Sequence, residues 1–201
     1  SVKVSSIASQ LNPWAFDATV QRIVDRLEPV YAEAELTGTF VNLDMEEFRT
    51  VDLTVAGFTR ALEGFPELEA GIAVQAYLPG SLSTLQHLQE WAAQRRASGG
   101  APIKVRIVKG ANLGLETTEA ELRGWPPATW ASKAQTDAHY KRLIDWALTP
   151  ERIDNVRIGV ASQNLFDLAH AWLLAGERGV RGRVEFEALL GFDGGPLRAA
   201  R

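Results

Sequence analysis

No cysteine occurs among the 201 residues. That removes disulfides, thiol nucleophiles and thiolate metal sites together, and it fits a reducing cytoplasm. No apolar run approaches the roughly 18 residues that a membrane-spanning helix requires, and nothing at the start reads as a signal peptide. Histidine is scarce. His87, His139 and His170 fall in helical stretches without a shared metal-ligand spacing, so they read as surface or packing residues. No Ser-His-Asp arrangement can be argued, no G-x-x-x-x-G-K-[ST] loop is present, and no G-x-G-x-x-G follows the first strand-like run. Excess charge of one sign is also missing. Lys and Arg number 21 against 25 Asp and Glu, a formal net charge of −4, so bulk electrostatics favours neither nucleic acid nor an anionic membrane. Internal repeats, low-complexity segments and domain linkers are absent, and residues 1–201 read as one domain.

What is there is an alternation. Short β-branched runs at 2–7, 39–45, 70–78, 103–111, 156–162 and 184–192 alternate with amphipathic stretches at 14–35, 46–64, 82–98, 132–148 and 164–178. The first of these stretches has Asn12 before Pro13 as its cap, and Leu82, Leu85, Leu88 and Trp91 give the third an apolar stripe suited to core packing. Strand–helix–strand repetition of this kind implies parallel pairing with right-handed crossovers. Two architectures compete, an open doubly wound sheet and a (βα)8 TIM-type barrel. Asp44, Gln75, Lys109, Ser162 and Gln163 all lie at or near C-terminal strand ends. A barrel builds its active site at that face, from several strands. The reading is therefore an α/β fold of the (βα)8 type with six of eight strands visible, incomplete at the C-terminal end. The strand-like start at Ser1 likewise points to a piece of a longer protein. Residues 112–131 read as one long irregular βα loop.

The polar strand residues are the candidates for chemistry. Asp44 closes "TFVNLDM", where it serves either as a helix N-cap or as a functional carboxylate. Gln75 interrupts an apolar run with a group that both donates and accepts; a core glutamine bonded to backbone is the alternative. Arg106, in "IKVRIVKGANL", shares a strand face with Lys104 and Val108, cannot lose its proton, and needs an anionic partner. That partner is either a ligand or Asp44. Lys109-Gly110-Ala111 adds a cation and a backbone that a ligand can approach closely. Lys3 places one more basic group in an inward-capable position, and Lys104 reads as a solvated strand start. The set suits an anionic or electron-accepting ligand without naming one.

"SVKVSS", "VNLDMEEF", "AVQAYLP", "VRIVKGAN", "SKAQTDAHY", "IGVASQN" and "VEFEALLGF" occur in this order. Together they resemble the flavin-dependent proline dehydrogenase family, especially the dehydrogenase domain of bifunctional proline utilisation A proteins, over essentially the whole chain. The resemblance implies a (βα)8 barrel with FAD at the C-terminal strand ends. It also implies oxidation of L-proline to pyrroline-5-carboxylate, with electrons passed to a quinone at the membrane. Arg106 then matches the flavin-contacting arginine, Asp44 the acidic residue functional beside it, and Gln75 the glutamine that hydrogen-bonds the flavin ring. Met45, Val108, Lys109, Gly110 and Ala111 border the cofactor, Lys133 and Thr136 contact its outer part, Ser162 and Gln163 follow strand five beside it, and Lys3 falls at the proline site. Arg106 and Lys109 would lend positive charge to the reduced ring. A cytoplasmic protein with peripheral membrane contact, and a downstream pyrroline-5-carboxylate dehydrogenase module, are further implications.

The chain departs from the family pattern in three places. Gln163 stands where members usually have histidine, and Asn112 stands where many have an aromatic residue. The paired arginine that grips the proline carboxylate has no counterpart, because Arg198 and Arg201 lack the matching context. Two other readings remain: a Schiff-base barrel lyase with Lys109 as nucleophile, and a non-catalytic barrel remnant whose open edge pairs with another chain.

Overall fold

The computed structural model describes residues 1–188. Its strands are β1 (Val2–Lys3), β2 (Val41–Asp44), β3 (Ala70–Gln75), β4 (Ile103–Val108), β5 (Val156–Ala161) and β6 (Val184–Glu187). The helices are α1 (Val4–Ile7), α2 (Phe16–Thr37), α3 (Val51–Leu62), α4 (Ser81–Ala97), α5 (Leu113–Arg123), α6 (Lys133–Ala147), α7 (Pro150–Ile153) and α8 (Leu165–Glu177).

All five strand pairings are parallel, and spatial order follows sequence order from β1 to β6. A doubly wound sheet reverses its strand order at a switch point; this one does not. The sheet is therefore the wall of a TIM-type barrel, with β1 and β6 as unjoined edges among the described residues. Strand alternation divides the two faces. Leu43, Ile72, Val74, Val105, Ile107, Ile158 and Val160 point to the helices and merge with Val20, Ile23, Leu27, Phe58, Leu85, Leu88, Leu143 and Ile144 into one core. The opposite, inner face carries the polar residues.

The element boundaries differ from the sequence expectation in ways that have physical causes. Only Val2–Lys3 of the 2–7 run is strand. Val4–Ile7 turns into α1, because the Glu46 carboxylate accepts from both the Ser5 backbone N–H and its Oγ. Asn12 does cap, accepting from Trp14 N, but it caps a 3-10 turn at Pro13–Ala15 ahead of α2. α3 begins five residues later than expected, after a second 3-10 turn at Phe48–Thr50. The stretch read as an irregular loop contains α5, which buries only Glu116 and Ala120. The end of the 184–192 run lies outside the described residues.

Arg95 holds the N-terminal side of the sheet. From α4 its guanidinium donates to the carbonyls of Leu62, Phe65, Pro66, Leu68 and Ala101, at 2.7 to 3.1 Å. One side chain thereby satisfies the loop that leads into β3 and the residue that leads into β4. Burial lowers its pKa, yet a guanidinium stays charged. Because hydrogen bonds from a charged donor are each worth about 1.5–3 kcal/mol, Arg95→Ala should cost about 3 kcal/mol in chemical denaturation. Arg95→Lys, with a point charge in place of the fork, should recover less than half of that.

Candidate active site

The parallel register lays the inner-face residues out in rows. Lys3 aligns with Asp44, Ala73 with Arg106, Arg106 with Gly159, and Gly159 with Glu185. Toward the C-terminal strand ends, Gln75 aligns with Val108 and Ala161 with Glu187. Toward the other end, Gly71 aligns with Lys104.

Arg106 is held from two sides. Its Nη1 donates to Asp44 Oδ1 at 3.0 Å, and its Nε to Glu187 Oε2 at 2.5 Å. Asp44 also accepts from Asn42 Nδ2, and Glu47 and Thr50 occupy the helix-start positions beyond it. Asp44 is thus the partner of Arg106 and not a helix cap. Lys104 is no solvated strand start. It is 8% exposed, its Nζ lies 2.5 Å from Glu185 Oε2 and 2.7 Å from Glu187 Oε1, and it sits over the Phe40 ring. Two cations meet three carboxylates, so the cluster has a formal charge of −1.

A second cluster surrounds Lys109. Its Nζ lies 2.5 Å from Asp137 Oδ1 on α6, 2.7 Å from the buried Asp167 Oδ2 on α8, and over the Tyr140 ring. Lys133, one helical turn before Asp137, pairs with its other oxygen. Ser162 Oγ donates to Asp167. Burial alone would lower the pKa of Lys109, but its hydrogen bonds to the two aspartates and their charges more than offset that, and the net direction is up. Asp137 is shifted down, first by its hydrogen bond from Lys109 and then by that from Lys133. A Schiff-base nucleophile needs the opposite shift in its lysine, so this environment removes the basis for the lyase reading.

Gln75 is 2% exposed. Its Nε2 donates to the carbonyls of Met45 and Glu46, both at 3.3 Å, and its Oε1 is buried without a hydrogen-bond partner. The Glu46 carbonyl also accepts from Asn112 Nδ2 at 2.9 Å. Glu46 therefore joins α1 through its carboxylate, β3 through Gln75 and the start of α5 through Asn112. Glu116 on α5 closes the same corner, accepting from Phe48 N at 2.7 Å. Burial and, after it, the charge of Glu116 push the Tyr77 hydroxyl up to about 12.

The remaining expected residues are scattered. Gly110, with φ of 126°, has to be glycine, since a Cβ there would meet the Tyr77 ring at 2.5 Å, and its backbone is exposed. Met45 is buried, Val108 is half-buried on the inner face, and Ala111, Gln163 and Lys3 are exposed. Thr136 faces back along its own helix, donating to Ser132 O. A cavity of about 460 Å3 opens beside Met45 and Gln75, between the starts of α3 and α4, with Phe48, Val51, Leu78 and Ser81 in its wall. Glu187, Asp137, Asp167 and Glu46 complete the two clusters and the hub. Sequence reasoning passed over all four.

Removing Lys109 leaves buried Asp167 with Ser162 alone. Lys109→Met should therefore cost about 3 kcal/mol in urea unfolding, the low end for breaking a buried pair because the lysine is a quarter exposed. The pH dependence has a definite sign. Asp137 has its pKa lowered by folding, so its contribution is present above the ordinary carboxylate value of about 3.9 and is lost as pH falls through the folded value. Thermal melts of wild type and Asp137→Asn should differ at neutral pH and converge in acid. The contribution of Lys109 has the opposite sense, full below about 10.5 and lost only as pH rises through its raised folded value.

Comparison with known proteins gives the family. The family model described as proline dehydrogenase matches residues 1–196. The bifunctional protein PutA of Escherichia coli is 26% identical over 98% of this chain, and the proline dehydrogenase of Deinococcus radiodurans is 29% identical over 81% of it. The chain spans 15% and 45% of the length of these two relatives. Among solved structures, proline utilization A from Corynebacterium freiburgense superposes with a TM-score of 0.96 at 45% identity, covering all of this chain and 21% of that one. The same protein from Bdellovibrio bacteriovorus, inactivated by N-propargylglycine, gives 0.90 at 35% identity, covering 99% of this chain and 20% of that one. The chain belongs to the proline dehydrogenase family.

Proposed function

We propose that this chain forms most of the flavin-binding wall of an enzyme that oxidises L-proline to pyrroline-5-carboxylate. The observation that carries the reading is Gln75. Its Oε1 is a buried acceptor without a partner, at the C-terminal end of the sheet and in the row beyond Arg106. An unsatisfied buried acceptor costs about 1–3 kcal/mol, and a ring N–H of FAD would relieve it. The residues present therefore fit the cofactor.

Bound there, FAD would supply a two-electron oxidant able to accept a hydride from the proline ring carbon next to nitrogen, with the nitrogen giving up its proton. The protein positions both partners. Gln75 offers its oxygen to the ring edge, because the Met45 and Glu46 carbonyls fix its amide with Nε2 turned to them. Arg106 has Nε and Nη1 engaged, which leaves Nη2 as its further donor group. Neither Arg106 nor Lys109 acts as a free cation, since each is flanked by two carboxylates; both serve as fixed donors. Val108, Ala111, Lys133, Thr136, Ser162 and Gln163 border the cofactor on this reading, and Lys3 faces the proline. Electrons leave to a quinone, which calls for a peripheral contact with the membrane from the cytoplasmic side. No described helix is long and apolar enough to cross a membrane. A pyrroline-5-carboxylate dehydrogenase module is the partner expected for the product.

The visible spectrum of the purified protein tests this. A flavin band bleached by L-proline is the expected result, and a protein that stays colourless after incubation with FAD overturns the reading. Gln75→Leu should raise the Kd for FAD about tenfold, the size of one hydrogen bond. Arg106→Met should abolish bleaching. It should also lower stability by about 3 kcal/mol, because Asp44 and Glu187 would then share a site without the cation between them.

A further inference from the structure

Glu187 enters the arginine site from β6, two strands away from β4. It can do so because β5 has a glycine where the carboxylate crosses. Gly159 lies between Arg106 and Glu185 in the row, and a Cβ there would overlap Glu187 Oε1 and crowd Lys104 Cε at 3.0 Å. Through that gap one carboxylate holds Arg106 Nε with one oxygen and Lys104 Nζ with the other. Asp44 already supplies Arg106 with a counter-ion. Glu187 is therefore a second one, and together with Glu185 it takes the cluster from a formal +1 to −1.

We propose that Glu187, reaching across Gly159, is a positioning residue that sets the charge Arg106 presents at the mouth, and so lowers the reduction potential of flavin bound there. The inference rests on the FAD reading above. Its physical content is simple: a carboxylate close to an electron acceptor disfavours added negative charge, and a site shielded from water transmits that effect strongly. Glu185 makes the necessary control. It carries the same charge and binds the same Lys104, but it is more than half exposed and makes no contact with Arg106.

The experiment is a redox titration of the flavin band in the full-length protein reconstituted with FAD. Glu187→Gln should shift the equilibrium toward reduced flavin roughly tenfold, about 30 mV more positive for a two-electron couple. Glu185→Gln should shift it by less than half as much. Gly159→Ala, which keeps the charge but displaces the carboxylate from the gap, should move the potential in the same direction as Glu187→Gln. It serves as the second variant should the glutamine fail to fold. An unchanged potential in the folded Glu187 and Gly159 variants, or an equal shift from Glu185→Gln, overturns the proposal while leaving the flavin reading intact. A wild-type protein that takes up no FAD overturns both.

Discussion

A guanidinium that never deprotonates stands on the inner face of a parallel strand, and the surrounding sheet is arranged to hold that charge. Arg106 draws Asp44 from β2 and Glu187 from β6, so three of the six strands meet at one side chain. The arrangement depends on register. A slip of one residue in β4 would turn Lys104 and Arg106 toward the helices, where Leu43, Ile72 and Ile158 pack, and bring Val105 and Ile107 to the inner face. Charge in the apolar layer would be far too costly. The ion network and the hydrophobic layer therefore specify the same register, one from each face.

Two arginines divide the labour between the ends of the sheet. At the N-terminal side, Arg95 meets five backbone carbonyls and leaves nothing for a ligand. Toward the C-terminal side, Arg106 meets two carboxylates through Nε and Nη1. The first arrangement closes loops and the second fixes a donor in a row of polar groups. Barrels separate stability from chemistry in this way, because only the C-terminal ends carry the loops that shape a site.

The parts of this architecture that were legible in the sequence are those set by local alternation. Strand positions, the parallel class and the inward direction of Asp44, Gln75 and Arg106 follow from a period of two and from which residues close each run. The partners were not legible. Glu187 and Glu185 lie 81 or more residues from the cations they meet, and Asp137 and Asp167 sit on helices that read as ordinary amphipathic segments. Pairing them with Lys109 needs the packing of α6 and α8 over the end of β4. The helix α5 was hidden because it buries only Glu116 and Ala120 while Leu113, Leu115 and Leu122 stay exposed, so no core-facing stripe marks it. At Gly110 the sequence showed the need for a small residue but not its neighbour: the Cβ side is filled by the Tyr77 ring.

The sign of the arginine cluster also constrains the substrate. On the proline reading, the ligand brings a carboxylate of its own to a mouth whose central cluster is already −1. Like charges at short range are unfavourable by several kcal/mol in a shielded site, so the proline carboxylate must face away from Asp44, Arg106 and Glu187. Within the row that leaves Lys3, exposed at the β1 edge and aligned with Asp44, as the near cation. One lysine is a weak clamp for a carboxylate compared with a bidentate arginine. On that reading the described wall alone holds the substrate carboxylate weakly. The wall itself supplies Gln75, Arg106 and the two carboxylates that hold Arg106 in place.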